Sequence, residues 1–144
     1  MELQAPSEAG MDEFDIWNNL KKKISNERAS IFCLPGEVWW CFLGKNIGSE
    51  QNGKNHSFER PVLIIKTFNQ DLCRIIPLTS RFRNDSNHVG IHYLEKDASA
   101  IMSQMKTVST KRLSRKITIL DDTQFQKVLE KTIDSLSDRS PSLS

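Results

Sequence analysis

The chain has 144 residues, 38% of them hydrophobic, and a formal net charge of +2. This length suits one domain with a sizeable core. No signal peptide precedes the first helix and no apolar run is long enough to span a bilayer, which argues against a secreted or membrane protein and predicts a cytoplasmic one. The three cysteines Cys33, Cys41 and Cys73 include no C-x-x-C pair, so we expect buried free thiols.

The charge is distributed unevenly along the chain. Residues 1–35 carry six acids and four bases, a balance of −2, and residues 119–144 carry five acids and three bases, again −2. The remaining residues 36–118 therefore carry +6. A basic centre between acidic ends suggests a polyanionic partner, and an ordinary solvated surface is the alternative.

The N-terminal part predicts an unstructured segment followed by a helix. Residues 1–10 contain no periodic apolar pattern. From Asp12, which can cap a helix, apolar residues recur at helical spacing. They are Phe14, Trp17, Leu20 and Ile24. We expect this helix to pack on the domain.

The middle of the chain predicts short strands separated by polar loops. The strands are expected at residues 38–43, 61–67, 73–78, 88–94, 104–108 and 115–120. Residues 44–59 and 81–87 predict loops, and long loops in compact domains often carry function. Residues 95–98 predict a turn, and residues 99–102 a short apolar segment.

The C-terminal part predicts a second helix, capped by Asp121 or Asp122. Its apolar stripe consists of Phe125, Val128, Leu129, Ile133 and Leu136. The order of elements predicts an α+β, mainly β fold, in which a small curled antiparallel sheet or barrel has a helix at each end. The expected boundaries are a disordered N-terminus at 1–10, a helical extension at 11–30, a barrel domain at 31–137 and a disordered tail at 138–144.

Five segments occur in the order typical of one bacterial family. They are PGEVWW at 35–40, GSEQNG at 48–53, RPVLII at 60–65, PLTS at 77–80 and QMKTVSTKRL at 104–113. In this order they resemble the MazF/PemK (Kid) family of toxin ribonucleases, across most of the chain. The resemblance implies an SH3-like small β-barrel of the CcdB/MazF type, to which the N-terminal helix is an addition.

The resemblance also implies a function. It implies a sequence-selective, metal-independent endoribonuclease toxin of a type II toxin–antitoxin system, which cleaves single-stranded RNA such as mRNA by attack of a ribose 2′-hydroxyl. It implies a homodimer whose basic groove holds RNA, a cognate antitoxin that blocks the groove, and neither metal nor cofactor. Two alternatives stay open: an inactive RNA- or partner-binding relative, and a gyrase inhibitor like CcdB.

The site residues follow from this chemistry. RNA cleavage needs a proton acceptor, a proton donor for the leaving 5′-oxygen, and groups that stabilise the phosphorane. Arg60, a bidentate phosphate ligand, and Thr79, a hydroxyl for the scissile phosphate, match catalytic positions of the family. Glu50 is the candidate base, or a group that orients Arg60. The predicted substrate-binding residues are Gln51, His56, Ser80, Arg81, Gln104 and Lys106.

The chain departs from the family pattern at its acid/base positions. Ser49 stands where the PemK/Kid branch has His, and Ser109 stands where many members have Asp. An insertion at residues 52–59 lengthens the loop that carries His56, a side chain that titrates near neutrality. The proton acceptor is therefore open, with Glu50 ahead of His56.

A run of basic residues begins inside the fifth segment, two residues after Gln104. Its members are Lys106, Lys111, Arg112, Arg115 and Lys116, with no acid between them. Two uses are open for this run: it lines an RNA groove and adds salt-dependent affinity, or it receives an acidic antitoxin tail.

Overall fold

The structure is a computed structural model that describes residues 12–54 and 57–137. It contains two α-helices, seven strands and two 3₁₀ turns, at Met102–Gln104 and Thr110–Arg112. In chain order the main elements are α1 (Glu13–Glu27), β1 (Glu37–Phe42), β2 (Glu59–Thr67), β3 (Leu72–Thr79), β4 (His88–Tyr93), β5 (Lys96–Ile101), β6 (Lys106–Ser109), β7 (Leu113–Ile119) and α2 (Asp122–Ser137). The segments predicted to be disordered, 1–10 and 138–144, lie outside the described residues.

The predicted N-terminal helix is confirmed as α1. The Asp12 carboxylate accepts a hydrogen bond from the Asp15 amide at 2.9 Å and caps the first turn. Trp17, Leu20 and Ile24 are buried against Phe42, at the end of β1, and Phe58, just before β2. Phe14, which belongs to the same predicted stripe, is 49% exposed because it lies in the first turn, beyond this contact.

A glycine permits the close approach of α1 to the domain. Gly44 has a φ of +81°, and a Cβ at this position would lie 2.0 Å from the Trp17 ring. At the other end of α1, the Arg28 guanidinium donates to the carbonyls of Lys111 (2.9 Å) and Leu113 (2.6 Å). The helix is thus fixed to the sheet at both ends.

All strand pairs are antiparallel, in the order β4-β5-β3-β2-β1-β7. Strand β3 has two partners on its second side: its end, at Leu78 and Thr79, pairs with β5, whereas its first half pairs with β6. A strand that changes partner along its length curls the sheet. The predicted fold class, α+β and mainly β with a helix at each end, is confirmed.

Alternating side chains of the central strands form two apolar layers. Val38, Leu63 and Ile76 lie in one layer with Val128 of α2. Their neighbours in sequence point to the other face of the sheet, where Val62 and Ile75 pack in a second cluster. The three cysteines are buried and free, as predicted. Within the described part of the chain, neither helix is long and apolar enough to cross a membrane.

One strand differs from the prediction. We predicted a turn at residues 95–98, but β5 begins at Lys96 and pairs with β4 along its whole length. The hairpin turn lies at Leu94 and Glu95, which adopt φ angles of +48° and +59°. Left-handed hairpin turns usually contain glycine or asparagine. Because Leu94 and Glu95 are neither, the sequence did not indicate that the turn lies at these two residues.

Helix α2 covers the edge strand β4. Asp121 is the cap, since its carboxylate accepts from the Gln124 amide at 3.0 Å. The Gln124 side chain exchanges two hydrogen bonds with the backbone of His92, at 2.6 and 2.7 Å. It thereby satisfies the backbone groups of His92 at the edge of the sheet. Val128 is buried, but Ile133 and Leu136 of the predicted stripe are 62% and 68% exposed, because the buried face of α2 passes through Val128 and Thr132 instead.

Glu37 is a buried carboxylate that ties the start of β1 to its surroundings. Its oxygens accept from Lys116 Nζ (2.8 Å), the Trp39 indole (3.0 Å) and the Leu34 amide (2.8 Å). Burial opposes ionisation of this group, but the three hydrogen bonds outweigh it and hold the pKa of Glu37 below its ordinary value.

We expect Glu37→Gln to lower the free energy of unfolding by about 2 kcal/mol at pH 7, because it removes charge-assisted hydrogen bonds in a buried site. A carboxylate whose pKa is lowered in the folded state stabilises the fold at pH values above its ordinary pKa of 4.5. This contribution is lost as the pH falls through the pKa of the folded state. The gap between variant and wild type should therefore narrow in urea titrations at pH 3. Glu130→Gln, on the exposed face of α2, is the control; an equal loss there at pH 7 would contradict this role.

Candidate functional site

Arg60 and Thr79 lie side by side at one end of the sheet. Strands β2 and β3 pair through Val62 and Pro77. Arg60 precedes Val62 by two residues and Thr79 follows Pro77 by two, so the antiparallel register brings both to the same end. The two residues predicted from separate segments are therefore neighbours.

The Arg60 side chain is buried, with 7% of its surface exposed. Its Nη1 donates to the Leu78 carbonyl at 3.2 Å, and its Nε donates to the Asn52 carbonyl at 2.8 Å. With the amide oxygen of Gln51 turned toward the guanidinium, Gln51 accepts from Nη2 at 2.6 Å and from Nε at 3.0 Å. Every one of these acceptors is neutral.

The guanidinium thus keeps its charge without a counter-ion. No carboxylate of residues 12–54 or 57–137 forms an ion pair with Arg60, and burial lowers the pKa of its guanidinium. A buried charge that is held only by neutral groups is costly, and an anionic ligand would offset that cost. The electrostatics of the site favour an anion beside Arg60.

Arg60 and Thr79 line a cavity of about 340 Å³. Its apolar wall contains Trp40, Pro61 and Ile117, and Tyr93 adds a phenol whose pKa is raised by burial. The polar lining consists of Lys54, Glu59, Thr79, Ser80, Lys96 and Asp97. A guanidinium and hydroxyls beside a flat aromatic wall fit a phosphate attached to a planar group.

The loop that carries Gln51 is held in place by amide side chains. Gln104 accepts from the Gln51 amide at 2.9 Å and donates to the Ser49 carbonyl at 3.4 Å. Asn46 donates to the carbonyls of Leu43 (3.1 Å) and Gln51 (2.8 Å). The predicted substrate-binding residue Gln104 thus positions the loop that contacts Arg60.

Glu50 lies in a neighbouring groove rather than in the Arg60 cavity. Its carboxylate accepts from the Ile47 amide at 3.0 Å and is otherwise exposed. The groove, of about 280 Å³, is also lined by Gln51, Gln104 and Lys106. Four of the predicted residues are therefore together here, and none of these four lines the cavity of Arg60 and Thr79.

The other predicted residues have different positions. Ser80 lines the Arg60 cavity. Arg81 is exposed; its amide donates to the Thr79 hydroxyl at 3.4 Å, and its carbonyl accepts from Ser99. His56 lies outside the described residues. Within the described part of the chain, no group of three His, Cys, Asp or Glu side chains is placed to hold a metal ion.

The basic run does not form one continuous stripe. Lys116 pairs with Glu37, and Arg115 lies 3.7 Å from Glu59 and 4.9 Å above the Trp40 ring. Lys111 and Arg112 donate to backbone carbonyls, those of Ser25 and Phe42 respectively. Two uses, RNA and antitoxin binding, were predicted for the whole run, and the structure engages most of it in contacts within the domain.

Sequence reasoning missed the residues that β4 and β5 contribute to the cavity. Tyr93, Lys96 and Asp97 reach it because β5 pairs with the end of β3 at Thr79. The signal that would have found them is this hairpin, whose turn at Leu94 and Glu95 carries no glycine.

Comparison with known proteins identifies the family. The family model for the PemK-like, MazF-like toxin of type II toxin-antitoxin systems matches residues 34–136. The chain belongs to this family. Membership confirms the predicted resemblance and the predicted class of this toxin, an endoribonuclease of a type II toxin–antitoxin system.

The relatives agree with this assignment. Endoribonuclease EndoA of Bacillus subtilis (strain 168) is 33% identical over 107 residues, which cover 66% of this toxin and 86% of EndoA. MazF from Deinococcus radiodurans has the same fold, with a TM-score of 0.60 at 19% identity, over 72% of this toxin and 96% of that chain. An endoribonuclease from a mycobacterial species, solved in complex with its cognate antitoxin, also has this fold, with a TM-score of 0.59 at 16% identity. The match covers 76% of this toxin and 100% of that chain.

We expect Gln104→Ala to loosen the loop at residues 45–54 without unfolding the domain, because it removes two hydrogen bonds that end on that loop. A loss of about 1 kcal/mol raises the open population, and hence limited proteolysis of the loop, about fivefold. Gln126→Ala, on the exposed face of α2, is the control. Equal proteolysis of both variants would show that Gln104 does not hold the loop.

Proposed function

We propose that this toxin cleaves single-stranded RNA at selected sequences, in the cytoplasm and without a metal ion, by attack of a ribose 2′-oxygen on the adjacent phosphorus. The P–O5′ bond breaks, so the products carry a 2′,3′-cyclic phosphate and a free 5′-hydroxyl. The single observation that carries the proposal is the buried Arg60 guanidinium, which has neutral partners only and opens onto a cavity beside Thr79.

Arg60 is proposed to bind the scissile phosphate and to stabilise its extra negative charge in the phosphorane. The hydrogen bonds from Arg60 to Leu78 and Asn52 fix the side chain before substrate arrives, so little reorganisation is needed. The low polarity of the cavity wall strengthens this interaction relative to water. Gln51 supports the same geometry from the loop side.

Thr79 is proposed to donate its hydroxyl to a non-bridging phosphate oxygen. The Arg81 amide donates to this hydroxyl oxygen, which leaves the O–H proton available as a donor to substrate. Ser80 lines the same cavity and is a further phosphate donor. Arg81, Gln104 and Lys106 are proposed to bind the strand outside the cleaved bond.

The proton acceptor has two candidates in this arrangement, because Glu59, a further carboxylate that lines the Arg60 cavity, is engaged by the Ser114 hydroxyl and lies 3.7 Å from Arg115. Glu50 is the base predicted from the sequence, and it lines the neighbouring groove rather than the Arg60 cavity. Asp97 is a carboxylate in the Arg60 cavity itself, where it lies 3.0 Å from His92. Either group would take the 2′-hydroxyl proton, and the 5′-oxygen would receive one on leaving.

The proposed partners are a second copy of the chain and a cognate antitoxin. Solved relatives include MazE–MazF complexes from Deinococcus radiodurans, which supports a cognate antitoxin for this toxin. An antitoxin segment with acidic side chains would compete with RNA for Arg60 and Lys106.

We expect Thr79→Val to lower the cleavage rate of a long unstructured RNA about 100-fold, whereas Thr79→Ser, which keeps the hydroxyl, stays within about fivefold of wild type. Arg60→Lys keeps the charge but loses the bidentate geometry, so we expect a loss of at least about 100-fold. Cleavage is measured in EDTA by mapping RNA ends, and melting curves check that each variant is folded. Arg83→Lys, in an exposed loop, is the matched control.

Full activity of folded Arg60→Lys and Thr79→Val would contradict the assigned residues. No cleavage by the wild type, with growth unaffected on expression, would contradict the enzymatic function and favour a binding relative that does not cleave RNA.

The two candidate bases give opposite results in isosteric variants. If Glu50 takes the proton, we expect Glu50→Gln to lower the rate about 100-fold or more and to remove the acidic limb of the pH–rate profile. Asp97→Asn should then retain that limb. The reverse pattern would assign the base to Asp97 and would show that the sequence-based choice of Glu50 is wrong.

A further inference from the structure

Helix α1 forms one wall of a second groove, next to the candidate site. The helix lies outside the segment, residues 34–136, that matches the toxin family. The groove has a volume of about 340 Å³. Phe14 and Lys21 line it from α1, Lys45 lines it from the loop after β1, and Lys106 lines it from β6.

The lining of this α1 groove is strongly basic. Its four cations are Lys21, Lys45, Lys106 and Arg112, against a single carboxylate, that of Glu50. Neither Lys21 nor Lys106 forms an ion pair with a residue in 12–54 or 57–137. Lys45 lies 3.9 Å from Glu13, a long contact between a half-buried lysine and an exposed carboxylate that an anion can displace.

The wall is rigid enough to hold a ligand. Arg112 lies 5.7 Å above the Trp17 ring and donates to the Phe42 carbonyl at 3.2 Å, so it joins α1 to β1. The close contact between Trp17 and Gly44 fixes the same helix turn against the loop. A preformed groove binds without the cost of ordering its walls.

The α1 groove is continuous with the candidate site. Asn46, Glu50 and Lys106 line both it and the neighbouring groove of Gln51 and Gln104. Gln51 in turn contacts the Arg60 guanidinium. A flexible strand whose phosphate lies at Arg60 can therefore continue along the loop to α1.

We propose that the α1 groove binds the single-stranded RNA that flanks the cleaved bond, so that α1 lengthens the substrate-binding surface of this toxin. This inference rests on the proposed function. Lys21 and Lys45 bind backbone phosphates, and the exposed face of Phe14 stacks on a base. Asn46 contacts base edges.

The lining favours RNA over an acidic peptide. The exposed ring of Phe14 in the lining can stack on a base, whereas carboxylate side chains offer it no planar ring. The phosphates of a nucleic-acid strand are regularly spaced. Lysines distributed along a groove can each bind one of them as a point charge.

The test compares a double variant in the α1 groove with a control on the same helix. Lys21→Gln with Lys45→Gln removes two cations that line the groove. Lys22→Gln with Lys23→Gln removes two exposed cations of α1 that do not line it. The probes are mixed-sequence 2′-O-methyl RNAs, which cannot be cleaved, of about four and about twelve nucleotides.

We expect the groove variant to lose at least about tenfold in affinity for the long probe and to bind the short probe within about twofold of wild type. Its salt slope for the long probe should fall by about 1.4, since each lost phosphate contact on a single strand removes about 0.7. The control should keep both values.

An unchanged long-probe affinity, or an equal loss in the control, would overturn the inference. Loss of binding to a polyglutamate peptide, with RNA binding intact, would overturn it in favour of an acidic protein partner. Cleavage of a short substrate, followed separately, tells the two proposals apart. If wild type cleaves but the groove lysines have no effect, only this inference fails; if nothing cleaves but long RNA binding depends on these lysines, only the proposed function fails.

Discussion

The arrangement of the site depends on one buried cation. Arg60 enters the sheet at the start of β2, and its guanidinium is held by the Leu78 carbonyl from β3 and the Asn52 carbonyl from the long loop. Those two bonds join β2 to the end of β3 and to the loop that precedes β2. They also leave the charge without a counter-ion among the described residues, which is stable only where neutral acceptors are fixed and abundant. The fold supplies that support and places the guanidinium beside Thr79 in a cavity, where we propose that the substrate phosphate binds.

The loop and α1 are arranged around this centre. Gln104 and Asn46 hold the backbone of the loop, and the loop in turn presents Gln51 to Arg60. Helix α1 packs behind the same loop through Trp17. The extra helix is therefore attached at the point where it can change what the loop binds, and its own lysines extend the basic surface.

The sequence predicted the architecture and singled out Arg60 and Thr79, which the structure places side by side, but it did not predict the cavity around them. Helical spacing and an N-cap located α1, and short apolar runs located β1 to β4, β6 and β7, because these signals are local. Arg60 and Thr79 could be paired because both end apolar strands within recognisable segments. A turn after β4 was predicted, but at residues 95–98, because Leu94 and Glu95 carry no turn signature. The first half of β5 was therefore missed, and with it the contribution of Tyr93 and Asp97 to the cavity. The distribution of the basic run was also hidden, because Lys116 and Arg115 pair with acids, Glu37 and Glu59, that are far away in sequence.

The most direct test of this account observes the Arg60 guanidinium itself. In ¹⁵N-detected NMR of wild-type protein, we expect addition of uncleavable 2′-O-methyl RNA to shift the Arg60 Nε and Nη signals and to slow their proton exchange, because a phosphate takes the open side of the guanidinium. The signals of exposed Arg83 should change little. Saturating RNA binding that leaves the Arg60 signals unchanged would contradict the claim that this buried cation is the phosphate-binding centre.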